Sequence, residues 1–256
     1  MRRGVDIGCL VLLMIPVVLV ACFWYTFRQA ERENDRREKA AFEALLRQAH
    51  DAADRTADAL TGSGDGGTDA VLGVIWEHTG SPVITHDADR RAFTAVAARS
   101  AVVDREPVPP VGGPVTVRRC FTYTYVRRTG PAWTSEVTER DLGACRGSGR
   151  IGDSVFFARV RLAGLEPARL TRAGVRSALE PGDPPDDEGR FAVRSVVRTG
   201  RTVVAVVLVR YVDRYYPVPA GGPAVAEQCY RLTRILDPDG GAGRTVTAVP
   251  VAEAAC

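Results

Sequence analysis

The strongest constraint on this chain is a stretch that it uses twice. Gly112-Gly113-Pro114 is followed by Cys120 six residues after the proline, and then by Phe121. Gly221-Gly222-Pro223 is followed by Cys229 at the same spacing, and then by Tyr230. A constant offset of 109 positions relates the two, and it also lays Val103-Asp104-Arg105 onto Val212-Asp213-Arg214 without a gap. A fixed offset over some thirty residues marks an internal duplication, so the fold must be built from two related units.

The cysteines follow the same plan. Cys120 and Cys145 lie in the first copy, Cys229 and Cys256 in the second, and Cys9 and Cys22 in the N-terminal apolar segment. Four downstream cysteines allow three pairings, and the sequence leaves all three open. The duplication favours Cys120–Cys145 and Cys229–Cys256. If the first cysteine of each pair opens one strand and the second closes the next, a hairpin brings them within disulfide reach. Each bridge would contribute roughly 3 kcal/mol by restricting the unfolded chain. No CxxC or histidine spacing accompanies them, so neither a zinc site nor a dithiol redox motif is expected.

Residues 1–6 read as a short cytoplasmic N-terminus. Arg2 and Arg3 precede an almost unbroken apolar run over residues 7–27, which is 21 residues and enough to cross a bilayer as a helix. Phe23, Trp24, Tyr25 and Phe27 close it with an aromatic belt. The run is therefore expected to be an uncleaved transmembrane signal anchor. The rival reading is a lipoprotein: Leu19-Val20-Ala21-Cys22 resembles the bacterial lipobox, in which Cys22 carries the lipid. Orientation is contested. The C-terminal flank carries Arg28, Arg32, Arg36, Arg37 and Lys39, more basic than the N-terminal flank, which argues against an exported C-terminus. Paired cysteines argue for an oxidising compartment. The expectation is a single-pass membrane protein with its bulk outside the cytoplasm.

The remainder reads as residues 28–145, a juxtamembrane helix plus a first unit; residues 146–152, a glycine-rich linker; and residues 153–256, a second unit. Between Arg28 and Leu60 there is no proline or glycine. Phe42, Leu45, Leu46, Ala49, Ala53, Ala57 and Leu60 recur at helical spacing after a charged, solvated stretch. Residues 70–77 read as a strand, as do 83–85, 93–103, 115–127 and 133–142. In 115–127, Phe121, Tyr123 and Tyr125 share one face. Residues 155–165 fit helix or strand, and 167–179 fit a helix. Residues 181–189 form an acidic, proline-rich loop, and strands follow at 191–198, 202–215, 229–236 and 244–251. Within 202–215, Val203–Val209 is continuously apolar, as for a strand covered on both faces. Each unit is thus expected to be α+β, one helix followed by about four antiparallel strands. That element order is similar to cystatin-like and NTF2-like folds.

The residues do not declare a chemistry. Composition is 45% hydrophobic and 25% charged, with a net charge of +3, which is ordinary for a folded chain and weak for a nucleic-acid binder. Lys39 is the only lysine. GC-rich coding explains that bias, so arginine density by itself carries little functional weight. No nucleophile elbow or phosphate loop is present, no catalytic residue is assigned, and no cofactor is expected. His78, His86, Asp87 and Asp89 flank one turn, where a polar turn outweighs a metal site. Asp104-Arg105 and Asp213-Arg214 read as strand ends or surface ion pairs, against a repeated binding contact. Arg146, Arg150, Arg159, Arg161, Arg169, Arg172 and Arg176 form the most basic region, and a solvated face outweighs binding to anionic lipids or polymers there. Tyr123, Tyr125, Trp133, Tyr211 and Tyr230 could line an apolar ligand pocket, against core packing. The expected function is non-enzymatic: protein contacts at the cell surface with a protein partner or a second copy. A module for a small apolar or anionic ligand is the alternative, and an unrecognised hydrolase or metalloenzyme the third reading. The plan, an anchor followed by two such units, resembles that of bitopic assembly factors of conjugative or secretion machineries.

Overall fold

The duplication takes the form of two antiparallel four-stranded sheets in one α+β chain. The computed structural model describes residues 2–64, 66–108, 111–180, 190–217, 223–237 and 245–256, with side chains left aside at 2–13, 107–108, 111–112, 190, 213–217, 223–224 and 255. A long helix α1 (Arg2–Gly62) and a shorter α2 (Thr68–Thr79) precede β1 (Val83–Asp87), β2 (Ala92–Val108), β3 (Val111–Arg127) and β4 (Trp133–Arg140). Helices α3 (Arg146–Gly164) and α4 (Arg172–Leu179) precede β5 (Arg190–Thr199), β6 (Thr202–Pro217), β7 (Pro223–Ile235) and β8 (Val246–Val251). The sheets run in the order β1-β2-β3-β4 and β5-β6-β7-β8. Each copy is therefore two helices and an antiparallel meander.

The copies agree in register as well as order. Cys120 lies opposite Arg140, and Cys229 opposite Val251. In both, a 3₁₀ turn then places the second cysteine five residues beyond that partner. The disulfides join Cys120 to Cys145 (Cα–Cα 5.6 Å) and Cys229 to Cys256 (Cα–Cα 6.1 Å).

Three local readings change. Residues 70–77 are helix α2, not a strand. Val71, Leu72, Ile75 and Thr79 are its buried positions, a helical recurrence that a short β-branched run conceals. Residues 146–152 are the first turns of α3, not a linker. Two of the glycines there serve close approach: a Cβ on Gly147 would lie 2.9 Å from the Ala226 Cβ, and one on Gly152 3.0 Å from Pro82. Glycine inside a helix costs about 1 kcal/mol, which the close contact at Gly152 helps to offset. Third, β6 is not equally covered on both faces. Val203, Ala205, Val207 and Val209 are buried, while Val204, Val206 and Leu208 are half-buried. The expected loop 181–189 lies outside the described residues, as do Gly221 and Gly222 of the second repeat stretch.

The chain forms two compact units that do not coincide with the two copies. One comprises residues 1–46 and 100–118. Here the charged turns of α1 are not simply solvated. The Asn34 Oδ1 accepts from the Glu106 N–H (2.9 Å), Arg37 donates to the Asp104 carbonyl (3.1 Å) and pairs with Glu106 (2.9 Å), and Glu38 pairs with Arg105. Each such exposed pair contributes about 0–1 kcal/mol, so the set defines a register more than a stability. Arg105 does serve as an ion pair; the side chains of Asp213 and Arg214 lie outside the description.

The other unit comprises residues 47–99 and 119–256 and holds most of both copies. Helix α3 packs across β6, β7 and β8, and α4 on β5. Ile151, Val155, Ala158 and Leu162 of α3 meet Val203, Ala205, Val207, Tyr230 and Leu232 in one core. Helix α2 of the first copy lies along β8, the edge strand of the second sheet, and β1 touches β7. Polar contacts fix this seam. The buried Gln228 accepts from the Ile84 N–H (2.9 Å) and donates to the carbonyls of Val251 (3.1 Å) and Cys229 (3.3 Å). The Tyr230 hydroxyl donates to the Pro82 carbonyl, and Ser148 to that of Val96. Asp69 accepts from Arg231 (2.7 Å) and from the Ala252 N–H (2.9 Å).

Among the described residues no helix is long and apolar enough to cross a membrane. The side chains of residues 7–13 of the apolar run lie outside that description.

Two substitutions test this packing. Gln228→Leu strands the Ile84 N–H at a buried seam and is expected to cost about 2 kcal/mol in urea unfolding. Arg234 is buried and donates to the carbonyls of Leu162 (2.6 Å) and Leu165 (2.7 Å), closing the C-terminus of α3. Arg234→Met removes two charge-assisted bonds, about 1.5–3 kcal/mol each, but also a buried cation. The expected net loss is about 2 kcal/mol, read as a lower midpoint at unchanged slope.

Candidate functional site

The most distinctive site is a cationic cleft at one end of the first sheet. Its first wall is the β1–β2 turn, residues 88–91. Asp87 starts that turn by accepting from the Arg90 N–H (3.1 Å), and the Arg91 N–H donates to the Ala88 carbonyl (3.3 Å). Arg91 then sits at φ 49°, the one non-glycine residue with positive φ among the described residues. L-residues avoid that region because Cβ crowds the following carbonyl. The second wall is the β3–β4 turn. The Arg127 N–H donates to the Arg91 carbonyl (3.2 Å), tying the two turns together, and the Arg128 N–H donates to that of Ala132 (3.1 Å). Gly130 sits at φ 116°, and Gly64, just beyond α1, at φ 68°. Gly64, Arg91, Arg127, Arg128, Gly130 and Pro131 enclose about 600 Å³, open to solvent.

Among the described residues this lining is basic and includes no carboxylate, nucleophile or histidine. Guanidinium groups stay charged at any physiological pH and pair with carboxylate or phosphate through a planar fork. Arginines at such an opening are suited to holding an anion. Beside it, His86 stacks on Phe93 with centroids 4.3 Å apart, and Phe93 meets Trp133 at 5.8 Å. Trp133 lies opposite Arg127 in the ladder, and its backbone N–H donates to the Thr61 hydroxyl of α1 (3.1 Å).

The residues singled out from the sequence lie elsewhere. Tyr123, Tyr125, Tyr211 and Tyr230 are buried, and Trp133 is half-buried. Burial pushes the Tyr125 and Tyr230 phenols well above their ordinary range, so both stay neutral. Arg99 donates to the Tyr123 hydroxyl (3.2 Å) and to the Thr79 carbonyl at the end of α2 (3.1 Å), which marks a structural role. His78 lies on α2, His86 is occupied by Phe93, and no metal-binding cluster occurs among the described residues. Cys22 is a free, exposed cysteine within α1.

The basic region of residues 146–176 divides by role. Arg159 donates to the Val246 carbonyl (2.8 Å), Arg172 to that of Val193 (3.3 Å), and Arg161 lies over the Phe157 ring (4.7 Å). Phe156 (66% exposed) and Val160 (54%) stand on the outer face of α3. No protein-family model matches this chain, and no curated protein or solved structure matches it significantly.

The cleft escaped the sequence reading because Arg91 is distant in the chain from the adjacent Arg127 and Arg128. One signal was available. The repeat offset lays Arg91, Arg127 and Arg128 onto Gly200, Leu236 and Asp237. Gly200 sits at φ 60°, so the second copy places glycine where the first places a strained arginine. Relief of left-handed strain is worth about 1–2 kcal/mol, and glycine adds about 0.5–1 kcal/mol of unfolded-state entropy. Arg91→Gly is therefore expected to stabilise the protein by about 0.5–1 kcal/mol, measured by urea unfolding; a clear loss would contradict the strain assignment.

Proposed function

We propose that this is a membrane-anchored extracytoplasmic protein, non-enzymatic, that acts through protein contacts at the cell surface. The observation that carries the anchoring is the surface of α1 over residues 14–25. Met14, Ile15, Val17, Val18, Leu19, Val20, Phe23, Trp24 and Tyr25 are each more than half exposed. Apolar side chains on every side of a helix need a non-aqueous surround. The run continues N-terminally to Ile7, which makes up the length of a bilayer span. Two disulfides in the remaining chain support an oxidising compartment. The element order of each copy, helices followed by a four-stranded antiparallel meander, supports an NTF2-like or cystatin-like scaffold, and such scaffolds do not fix a chemistry. The exposed Phe156 and Val160 on α3 supply a surface for a partner or a second copy.

The expected outcome is retention of the full chain in membranes after alkaline carbonate washing and its release by detergent. Cys22→Ser is expected to leave retention unchanged, because the helix and not a lipid provides the anchor. Release by carbonate would refute the span, and release only in Cys22→Ser would favour lipidation. On intact cells, an impermeant thiol reagent should modify Cys120, Cys145, Cys229 and Cys256 only after reduction and surface unfolding. Their labelling without reductant would refute the disulfides, and protection throughout would refute the outside topology.

A further inference from the structure

Strand β6 is apolar on both faces, but only one of them is packed against helices. Residues opposite one another in a ladder share a face. Val197, Val204 and Thr233 form one such row, and Ser195, Val206, Arg231 and Val249 the next. Thr199, Thr202 and Ile235 form a third. These rows lie opposite Val203, Ala205 and Val207, which α3 and α4 cover. Helix α2 runs along the β8 edge, and among the described residues no helix packs on the open side of β5 and β6. There Val197 is 56% exposed and Ile235 60%, while Val204, Val206 and Val249 are half-buried. The geometry points to this outer face as the contact between two copies of the chain, packed sheet on sheet. The second copy thereby gains a surface of its own, and Phe156 and Val160 of α3 are left for a different partner.

Three observations carry it. The first is the contrast with the first sheet. There the face turned away from Phe121, Tyr123 and Tyr125 carries Thr122, Thr124, Thr134, Glu136 and Thr138. The same meander thus tolerates a polar outer face, and only the second sheet makes it aliphatic. Strands favour threonine as well as valine, so propensity does not account for the change. Single exposed apolar residues are ordinary, but a patch continuous over three strands marks a contact surface. The second is self-complementarity. Arg231 is the one charged side chain in the three rows, and Asp69 pairs with it at 2.7 Å. A two-fold axis near Val204 and Val206 sets aliphatic rows on aliphatic rows and brings no unpaired charge from within them into contact. The third is area. The rows cover about 20 Å along the strands and about 20 Å across them, so two apposed faces bury on the order of 1,000 Å², the low end for a specific complex. A single helix, about 10 Å across, leaves half of that face wet, whereas a second sheet covers it.

Edge pairing is the other route by which two sheets meet. It is blunted at β5 by the bulge between Val193 and Ser195 and by Arg172, which donates to the Val193 carbonyl (3.3 Å). The contact is tested on the full chain with Cys9 and Cys22 replaced by serine, purified in detergent of neutral headgroup. Sedimentation over a range of protein-to-detergent ratios is expected to show a reversible monomer–dimer equilibrium. Val197→Thr, Val204→Thr and Val206→Thr together give this face the residue that the first sheet uses. They should raise the dissociation constant by about tenfold or more while the melting temperature stays nearly level. Val206→Cys, treated with a short bismaleimide, should link into a dimer. Thr124→Cys on the outer face of the first sheet and Phe156→Cys on α3 should link only at background. The inference is overturned if the chain stays monomeric at every ratio, or if the threonine variant dimerises as tightly as its parent. It is also overturned if Thr124→Cys or Phe156→Cys links as fully as Val206→Cys, and linking through Phe156→Cys alone would move the contact to α3. Should the threonine variant melt much lower, the cysteine variants decide. A chain that needs no detergent is measured in the same way without it, so failure of the anchoring reading and failure of this contact are told apart.

Discussion

Within the larger compact unit, the Gln228 side chain ties β1 of the first sheet to β7 of the second. Apolar burial pulls the copies together without direction, but a buried amide has geometric demands. Its oxygen takes the N–H of Ile84 from the first sheet, and its nitrogen reaches the carbonyls of Cys229 and Val251 in the second. The bond to Ile84 fixes where β1 meets β7, and the other two hold the amide in position. Tyr230 and Ser148 repeat the device on either side, each donating to a carbonyl of the first copy. Asp69 then ties α2 to Arg231 and Ala252, so that a helix of the first copy shields the outer edge of the second sheet. An unshielded edge strand is a template for unwanted pairing. The seam therefore serves both copies at once, which explains why the compact units do not follow the duplication.

Much of this plan was legible because it repeats. Strands β3 and β7 could be read from alternation and from their cysteines, and each disulfide reflects a register shared by the two copies. The repeat also located the strands around Phe93 and Val203. What could not be read was chiefly local ambiguity settled by tertiary packing. Val71, Leu72, Val74 and Ile75 form a run that suits a strand, and only their packing beside β8 and the core makes them a helix. The glycines at 147 and 152 carry the signature of a loop. They stand in a helix because Ala226 and Pro82 come too close for a side chain. In both cases the deciding partners are distant in the chain, beyond the reach of any local window: β8 for α2, Ala226 for Gly147 and Pro82 for Gly152.

The same limit hid the buried arginine. Arg234 stands in a strand where alternation puts it on the core face, and a cation there contradicts the pattern. Its partners, the carbonyls of Leu162 and Leu165, belong to the last turn of a helix seventy residues away. Burial depresses its pKa, with Asp237 opposing that shift. The residue is better understood as the missing cap of α3 than as a charge in a core. Arginine in this chain thus has at least three structural uses: capping helix ends, bridging helices to strand carbonyls, and stacking on rings.

That versatility is why arginine density alone says little, and why comparison between copies says more. Where a helix must be capped or a strand bridged, geometry explains the residue. At Arg91 geometry argues the other way, since the backbone there favours glycine and the second copy supplies it at Gly200. Strain of this kind persists only where neighbours over-determine the conformation. Arg91 has such neighbours: the Arg127 N–H on its carbonyl, the Ala88 turn behind it and the disulfide-braced strand β3 beside it. A duplicated scaffold can carry one strained turn while its twin keeps the relaxed form. The difference between the twins then separates what the fold requires from what it merely tolerates, and the cationic cleft belongs to the second category.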